Sequence, residues 1–231
     1  PIGLDHRQFL GPDIPTIAGE KCGIIKKGRP VVYAQTDPTA VNVIVRFAAE
    51  RGCRAINAAE EVRVARIRQT LDGQTLRIET GMHDYGRIRL PLLGRHQLLN
   101  TAGAVATLET AFEELGIPLS PETVRAGLEA VHWPGRLQVL ARDPVILLDG
   151  AHNPPAAEKL AQALRELMGR RPVGLVCGMC GDKDQEGFFK ALAPCIRRVW
   201  AVPLRTPRSA EPEAIVRIAE RLGLRAEAVH D

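Results

Sequence analysis

The chain has no run of about 18 consecutive apolar residues, so no segment is long enough to cross a bilayer as a helix. Its opening, Pro1-Ile2-Gly3-Leu4-Asp5-His6, has neither a basic n-region nor an apolar h-region, and no secretory leader is expected. It also lacks an initiator Met and starts inside what reads as a motif, so a fragment is expected. Aromatic residues are scarce at 4%, with Trp133 and Trp200 the only tryptophans, and no basic run accompanies them. Nucleic-acid recognition needs a clustered basic stripe with interleaved aromatics, so a nucleic acid is not an expected partner. The five cysteines (Cys22, Cys53, Cys177, Cys180 and Cys195) are odd in number and show no framework spacing, which fits a reducing cytoplasm. Cys177-Gly178-Met179-Cys180 has the C-x-x-C form, but it follows an apparent strand instead of opening a helix, and no second ligand pair exists. It reads as small apolar residues at a strand end. Lysine is rare as well. In a chain whose basic residues are mostly Arg, a Lys inside a motif hints that the ammonium itself is needed, and Lys21 and Lys183 are two such residues.

What is present begins with length: 231 residues, 45% hydrophobic, suffice for one large or two moderate domains with a real core. The net charge of +4 is spread along the chain. The most informative stretch is Asp149-Gly150-Ala151-His152-Asn153-Pro154, directly behind the apolar run Val145-Ile146-Leu147-Leu148. Asn153 is a good N-cap and Pro154 suits a first helical position. Apolar residues then recur at Ala157, Leu160, Ala161, Leu164, Leu167 and Met168, one face of a helix. A carboxylate and an imidazole thus sit where a strand ends and a helix begins, the place where open α/β sheets bind ligands. An ordinary βα loop, with Asp as turn-former and His as bystander, is the plainer alternative.

Two regions separate along the chain, with the boundary near Trp133–Asp143 and the domains taken as 1–140 and 141–231. In the first, Val31–Ala34 reads as a strand and Thr39–Glu50 as a helix. Three short strands follow, near Val62–Ile67, Thr75–Glu79 and Arg87–Leu93, with Asp72-Gly73 and Tyr85-Gly86 as turn signals. Leu98–Leu115 and Pro121–Val131 read as helices, closed by Gly116 and capped by Ser120 respectively. In the second, strands Val145–Leu148, Val173–Cys177, Arg198–Val202 and Arg225–Val229 alternate with helices Ala156–Met168, Gln185–Leu192 and Glu213–Leu222. That alternation predicts an α/β fold with a parallel, doubly wound sheet.

Four further clusters place polar groups at strand ends or helix starts: Gly3-Leu4-Asp5-His6 with Glu20-Lys21; Gly94-Arg95-His96-Gln97-Leu98-Leu99-Asn100; Trp133-Pro134-Gly135-Arg136; and Gly181-Asp182-Lys183-Asp184. Each taken singly also reads as a cap, a turn or a solvated loop. In this order, together with Asp149–Pro154, they resemble the folylpolyglutamate synthase/dihydrofolate synthase family, a branch of the Mur-ligase superfamily, along nearly the whole chain. Cys22 stands where Ala is usual in the EKAGI motif.

The resemblance implies the rest of a Mur-ligase-type central ATPase domain followed by a Rossmann-like parallel-sheet domain. It also implies an ATP-dependent ligase in which ATP phosphorylates a carboxylate and the glutamate amine then attacks the acyl phosphate. By the same resemblance the substrates are ATP, L-glutamate and a folate or dihydropteroate, the protein is a cytoplasmic monomer, and Mg²⁺ accompanies the triphosphate. His6 corresponds to a Mg²⁺ ligand. Lys21 matches a lysine that is carbamylated into a carboxylate-like metal ligand. Asn100 matches an adenine-side contact, Arg136 a phosphate contact and Asp149 a nucleotide-binding acid. His152 matches the histidine near the γ-phosphate and incoming amino acid, and Lys183 a charge partner for phosphate or glutamate.

One departure matters. The family's phosphate loop has the form G-x-x-x-x-G-K-[ST], and this chain contains no Gly-Lys dipeptide. The backbone cradle, its Lys and its hydroxyl are missing together, so this piece alone is expected to be nearly inactive. Two other readings stay open: a non-catalytic nucleotide-binding module, and a Mur-type ligase acting on a cell-wall precursor. The latter usually carries D-Y-A-H at Asp149–His152, so Gly150 favours folate.

Overall fold

The computed structural model describes residues 10–230. These fall into two compact units that divide between Trp133 and Pro134.

The first unit opens with helix α1 (Ile14–Cys22), capped by Asp13, whose side chain accepts from the Thr16 N–H at 2.9 Å. Strand β1 (Val31–Tyr33) leads into helix α2 (Pro38–Glu50), where Asp37 accepts from both Thr39 and Ala40 N–H and Pro38 occupies the first turn. Strand β2 (Ala55–Asn57) pairs parallel with β1. A single turn, α3 (Ala58–Glu61), precedes a three-stranded antiparallel sheet of β3 (Val62–Thr70), β4 (Gly73–Thr80) and β5 (Asp84–Leu90), in the order β3-β4-β5. The β3–β4 turn needs Gly73: its φ is 127°, and a Cβ there would lie 2.5 Å from the Leu90 carbonyl oxygen. Helix α4 (His96–Leu115) ends at Gly116 in the left-handed conformation, and α5 (Pro121–Glu129) starts from the Ser120 cap.

Alternation in the three strands turns Leu76, Ile78, Tyr85, Ile88 and Leu90 inward onto Ala102, Val105, Ala106 and Val124 of the two helices. Beneath that layer, Glu109 on α4 accepts hydrogen bonds from the Thr80 hydroxyl at 2.7 Å and the Tyr85 hydroxyl at 2.8 Å. Burial first, and then the Glu109 carboxyl, hold the Tyr85 phenol well above its ordinary range. The native state therefore keeps that proton more tightly than the unfolded chain does. Stability from this group is fully present below the unfolded tyrosine range near 10 and is lost progressively as pH rises from there through the higher folded-state pKa. Tyr85→Phe should cost about 1–2 kcal/mol, because one buried hydrogen bond to Glu109 disappears. Urea unfolding followed by circular dichroism checks this; an unchanged midpoint would show that the bond contributes nothing.

The second unit begins with a hairpin of β6 (Gln138–Arg142) and β7 (Val145–Leu148), paired antiparallel. Helix α6 (Pro154–Met168), strand β8 (Val173–Cys177), helix α7 (Gln185–Leu192), strand β9 (Ile196–Ala201), helix α8 (Pro212–Arg221) and strand β10 (Arg225–Ala228) follow. The last three strands form a parallel sheet ordered β10-β9-β8. Two expectations are corrected here. The first strand of the alternating series does not pair in that sheet; its hydrogen bonds go to β6, a short, half-exposed segment that has no strand signature of its own. All three helices pack on one face of β8–β10, in a single core with Leu175, Cys177, Val199, Ala201 and Ala226. On the other face Val176 is 66% exposed, so among the described residues the winding is one-sided. The 140/141 division falls inside β6, which its pairing assigns to the second unit. No helix among the described residues is long and apolar enough to cross a membrane.

Candidate functional site

At the end of β7, Asp149 ties two loops together. Its Oδ2 accepts from the Leu137 N–H at 2.8 Å and its Oδ1 from the Ala151 N–H at 2.9 Å. In addition, the Gly150 N–H donates to the Gly135 carbonyl at 2.9 Å. The Gly135 N–H in turn donates to Gln138 Oε1 at 3.0 Å, anchoring the turn to the start of β6. Gly135 takes φ 73° and Leu137 φ 46°, the one left-handed non-glycine residue described. Leu137 is buried, whereas Arg136 between them is exposed and has no hydrogen-bond or ion-pair partner among the described residues. Gly135–Leu137 and the loop Asp149–Ala151 are thus locked together, and Arg136 between Gly135 and Leu137 presents its guanidinium.

His152 is exposed in the same loop. Its Nδ1 lies 2.9 Å from the Gly150 carbonyl oxygen, which can only accept. The proton is therefore on Nδ1, and Nε2 is the nitrogen left to meet a ligand. Asn153 caps α6 by accepting from the Ala156 N–H at 2.9 Å, and Pro154 follows in the first turn, two residues before the predicted start.

The loop of Lys183 reaches the same corner by packing. Asp184 caps α7 by accepting from the Gly187 N–H at 2.9 Å. Gly187 is so close to α6 that a Cβ there would lie 2.7 Å from Pro154 Cγ. Two helix N-termini therefore lie side by side, and their dipoles favour negative charge there. Arg208 braces this loop: its Nη2 lies 2.8 Å from each oxygen of Asp182, and the Gly181 N–H donates to the Arg208 carbonyl at 2.8 Å. The Arg208 guanidinium holds the Asp182 carboxyl below its usual range. Sequence reasoning missed Arg208, because nothing in a loop 26 residues downstream signals that pairing.

In the first unit, Asn100 is exposed on α4 and donates to Gln97 Oε1 at 2.9 Å; Gln97 Nε2 lies 3.1 Å from His96 Nε2. The preceding Gly94 is fixed by Gln69 and Gln74, two more residues that sequence reasoning passed over. Lys21 is exposed in the last turn of α1. His6 lies outside the described residues. Arg136, Asp149, His152 and the Lys183 loop are brought together within the second unit, whereas Lys21 and Asn100 belong to the first. No group of three or more His, Cys, Asp or Glu side chains able to hold a metal occurs among the described residues.

The model of the family "Mur ligase, glutamate ligase domain" matches residues 135–231. The folylpolyglutamate synthase of Lacticaseibacillus casei is 33% identical over 213 residues, 92% of this chain and 50% of that protein. The dihydrofolate synthase/folylpolyglutamate synthase of Mycobacterium tuberculosis is 36% identical over 232 residues, covering 96% of this chain and 47% of its own length. The chain spans about half the length of the curated relatives it matches. Among solved structures, Mycobacterium tuberculosis folylpolyglutamate synthase complexed with ADP superposes with a TM-score of 0.86 at 34% identity, over 100% of this chain and 52% of that one. A folylpolyglutamate synthase–AMPPCP–folate complex gives 0.82 at 29% identity, over 99% and 56%.

Proposed function

Because residues 135–231 belong to the Mur ligase, glutamate ligase domain family, we propose that this chain serves an ATP-dependent ligase joining L-glutamate to a folate or dihydropteroate carboxylate. A carboxylate oxygen of the acid attacks the γ-phosphorus, ADP leaves, and an acyl phosphate forms. The glutamate amine then attacks the acyl carbon, phosphate departs, and the amine's proton is released with formation of the amide. Catalysis of such a transfer is mostly positioning and charge neutralisation.

The observation that supports the residue assignments is the Asp149 clamp. It fixes an unpaired guanidinium, Arg136, and an imidazole, His152, on one rigid pair of loops at a strand end. Arg136 contacts the phosphates with its planar fork. His152 Nε2 faces the γ-phosphate or the incoming amino acid. Lys183, held by the Asp182–Arg208 brace, supplies charge to phosphate or glutamate. Each oxygen of Asp149 keeps a lone pair beyond its backbone bond, so it can also accept from a nucleotide hydroxyl while holding the clamp. Asn100 serves the adenine side.

A divalent ion, when bound with the triphosphate, supplies further neutralisation of its charge. Lys21 and His6 are the residues assigned to it, and Lys21 fits that role only as a carbamate, since an ammonium has no lone pair to offer a cation.

The 231-residue chain itself should show no ADP release dependent on both glutamate and a pteroate, because no phosphate loop holds the β- and γ-phosphates. A steady-state coupled assay checks this, and measurable turnover would mean that the distal motifs suffice. Calorimetry with ATP and magnesium on the same chain, repeated on Arg136→Ala, tests the contacts. Nucleotide binding lost in the variant supports the assignment. Binding that is unaffected by Arg136→Ala removes Arg136 from the site.

A further inference from the structure

The outward face of β3–β5 is a grid of paired positions. One row is Arg63, Glu79 and Asp84; the next is Ala65, Arg77 and Arg87; the third is Arg68, Thr75 and Arg89. Five guanidinium groups therefore share this face with two carboxylates. Both carboxylates are already engaged: Glu79 by Arg77 and Arg63, and Asp84 by Arg77. Arg68, Arg87 and Arg89 are exposed, and none of their side chains has a hydrogen-bond or ion-pair partner among the described residues. Arg87 also stands directly opposite Arg77, a like-charge pairing that costs stability in a sheet. Bulges bring this about. The register shift between Arg66 and Arg68 turns Arg68 outward, and the one between Ile78 and Glu79 sets which β5 residues face solvent.

We propose that this face binds a linear polycarboxylate, namely the γ-linked oligoglutamate tail of a folate, an inference that rests on the ligase reading above. Arg87 and Arg89 lie on one face of one strand, about 7 Å apart, and Arg68 stands two strand spacings from Arg89, about 10 Å away. An extended γ-glutamyl unit has five backbone bonds where an α-peptide residue has three, so it repeats at about 6 Å and carries one carboxylate per repeat. The repeat has an odd number of backbone bonds, so carboxylates alternate sides; what the tail offers is several carboxylates within the span of three unpaired guanidinium groups, each able to bind one bidentately. A single-stranded nucleic acid has a similar charge repeat, but the grid has no aromatic residue on which a base could stack.

The test measures binding of pteroyl-γ-pentaglutamate, pteroylmonoglutamate and the pentanucleotide (dT)5 to the 231-residue chain by calorimetry at low and moderate salt. The pentaglutamate should bind about tenfold tighter than the monoglutamate at low salt, and that advantage should shrink as salt rises. The triple variant Arg68→Ala, Arg87→Ala, Arg89→Ala should lose the advantage with its circular dichroism spectrum unchanged. If that variant fails to fold, the corresponding triple Lys variant replaces it and should keep only part of the advantage, since an ammonium is not bidentate. Equal affinity for the two folates, no effect of the substitutions, or equally tight (dT)5 binding overturns the proposal. Tail binding does not require ligation, so ligase activity without tail preference sinks this inference alone. Tail preference in a protein whose restored full-length form ligates no glutamate sinks the functional reading alone.

Discussion

Asp149→Ala should destabilise the second unit by about 2–4 kcal/mol, because two hydrogen bonds from backbone N–H groups to one half-buried carboxylate are lost together. One of those donors belongs to Leu137, a buried residue held at φ 46°. That conformation is unfavourable for a branched side chain and persists only while its surroundings hold it. Without the carboxylate, Leu137 is free to relax toward negative φ, and only the Gly150–Gly135 backbone bond still ties the turn to the loop. Asp149→Asn keeps one carbonyl oxygen but presents an NH₂ to the second N–H donor, so it should lose at least half as much. Arg136→Ala, which removes no intramolecular partner, should leave the unfolding midpoint unchanged. Urea unfolding followed by tryptophan fluorescence and circular dichroism separates the three. A clamp is contradicted if Asp149→Ala unfolds within 0.5 kcal/mol of the parent, roughly the range of an ordinary surface substitution.

In an enzyme carrying this chain together with a phosphate loop, Lys21→Ala should cut turnover by about a hundredfold or more. Loss of even an outer-shell metal partner costs 10–100-fold, and Lys21 is assigned a direct role. The chemistry behind the assignment is specific. The ammonium first gives up a proton, and the neutral amine then adds carbon dioxide and sheds a second one, so a cation becomes a carboxylate-like anion that a nearby divalent ion would stabilise. Lys21→Arg should therefore fail to restore activity, since a guanidinium keeps its charge and carries no carbamate. Added short carboxylates should partly rescue Lys21→Ala by filling the vacated position. Steady-state kinetics with and without acetate or formate decide the matter. Near-normal turnover in the arginine variant would show that position 21 needs only a cation. In the structure Lys21 is exposed in the last turn of α1, so a carbamate there would need a bound divalent ion to hold it.

Both predictions rest on residues that the sequence already singled out, yet the sequence determined them only in part. Local signals were sufficient for the elements themselves. Asn153 before Pro154 and Ser120 before Pro121 start helices, Gly116 stops one, and strands β8 and helix α7 fall on the residues that their apolar patterns predict. Period and capping are properties of a few neighbouring residues, so a linear reading captures them. What the tertiary structure alone decided depends on groups far apart in the chain. Whether β7 pairs in the parallel sheet was fixed by β6, whose five residues carry no alternation strong enough to mark a strand. That Asp149 is held by Leu137 and Ala151, that Arg208 grips Asp182, and that Gly187 lies against Pro154 all follow from how loops meet after folding. The arginine grid is the extreme case. Its residues are visible in the sequence as scattered cations, and only bulge positions and strand register, set by which face the core buries, put Arg68, Arg87 and Arg89 on the same side.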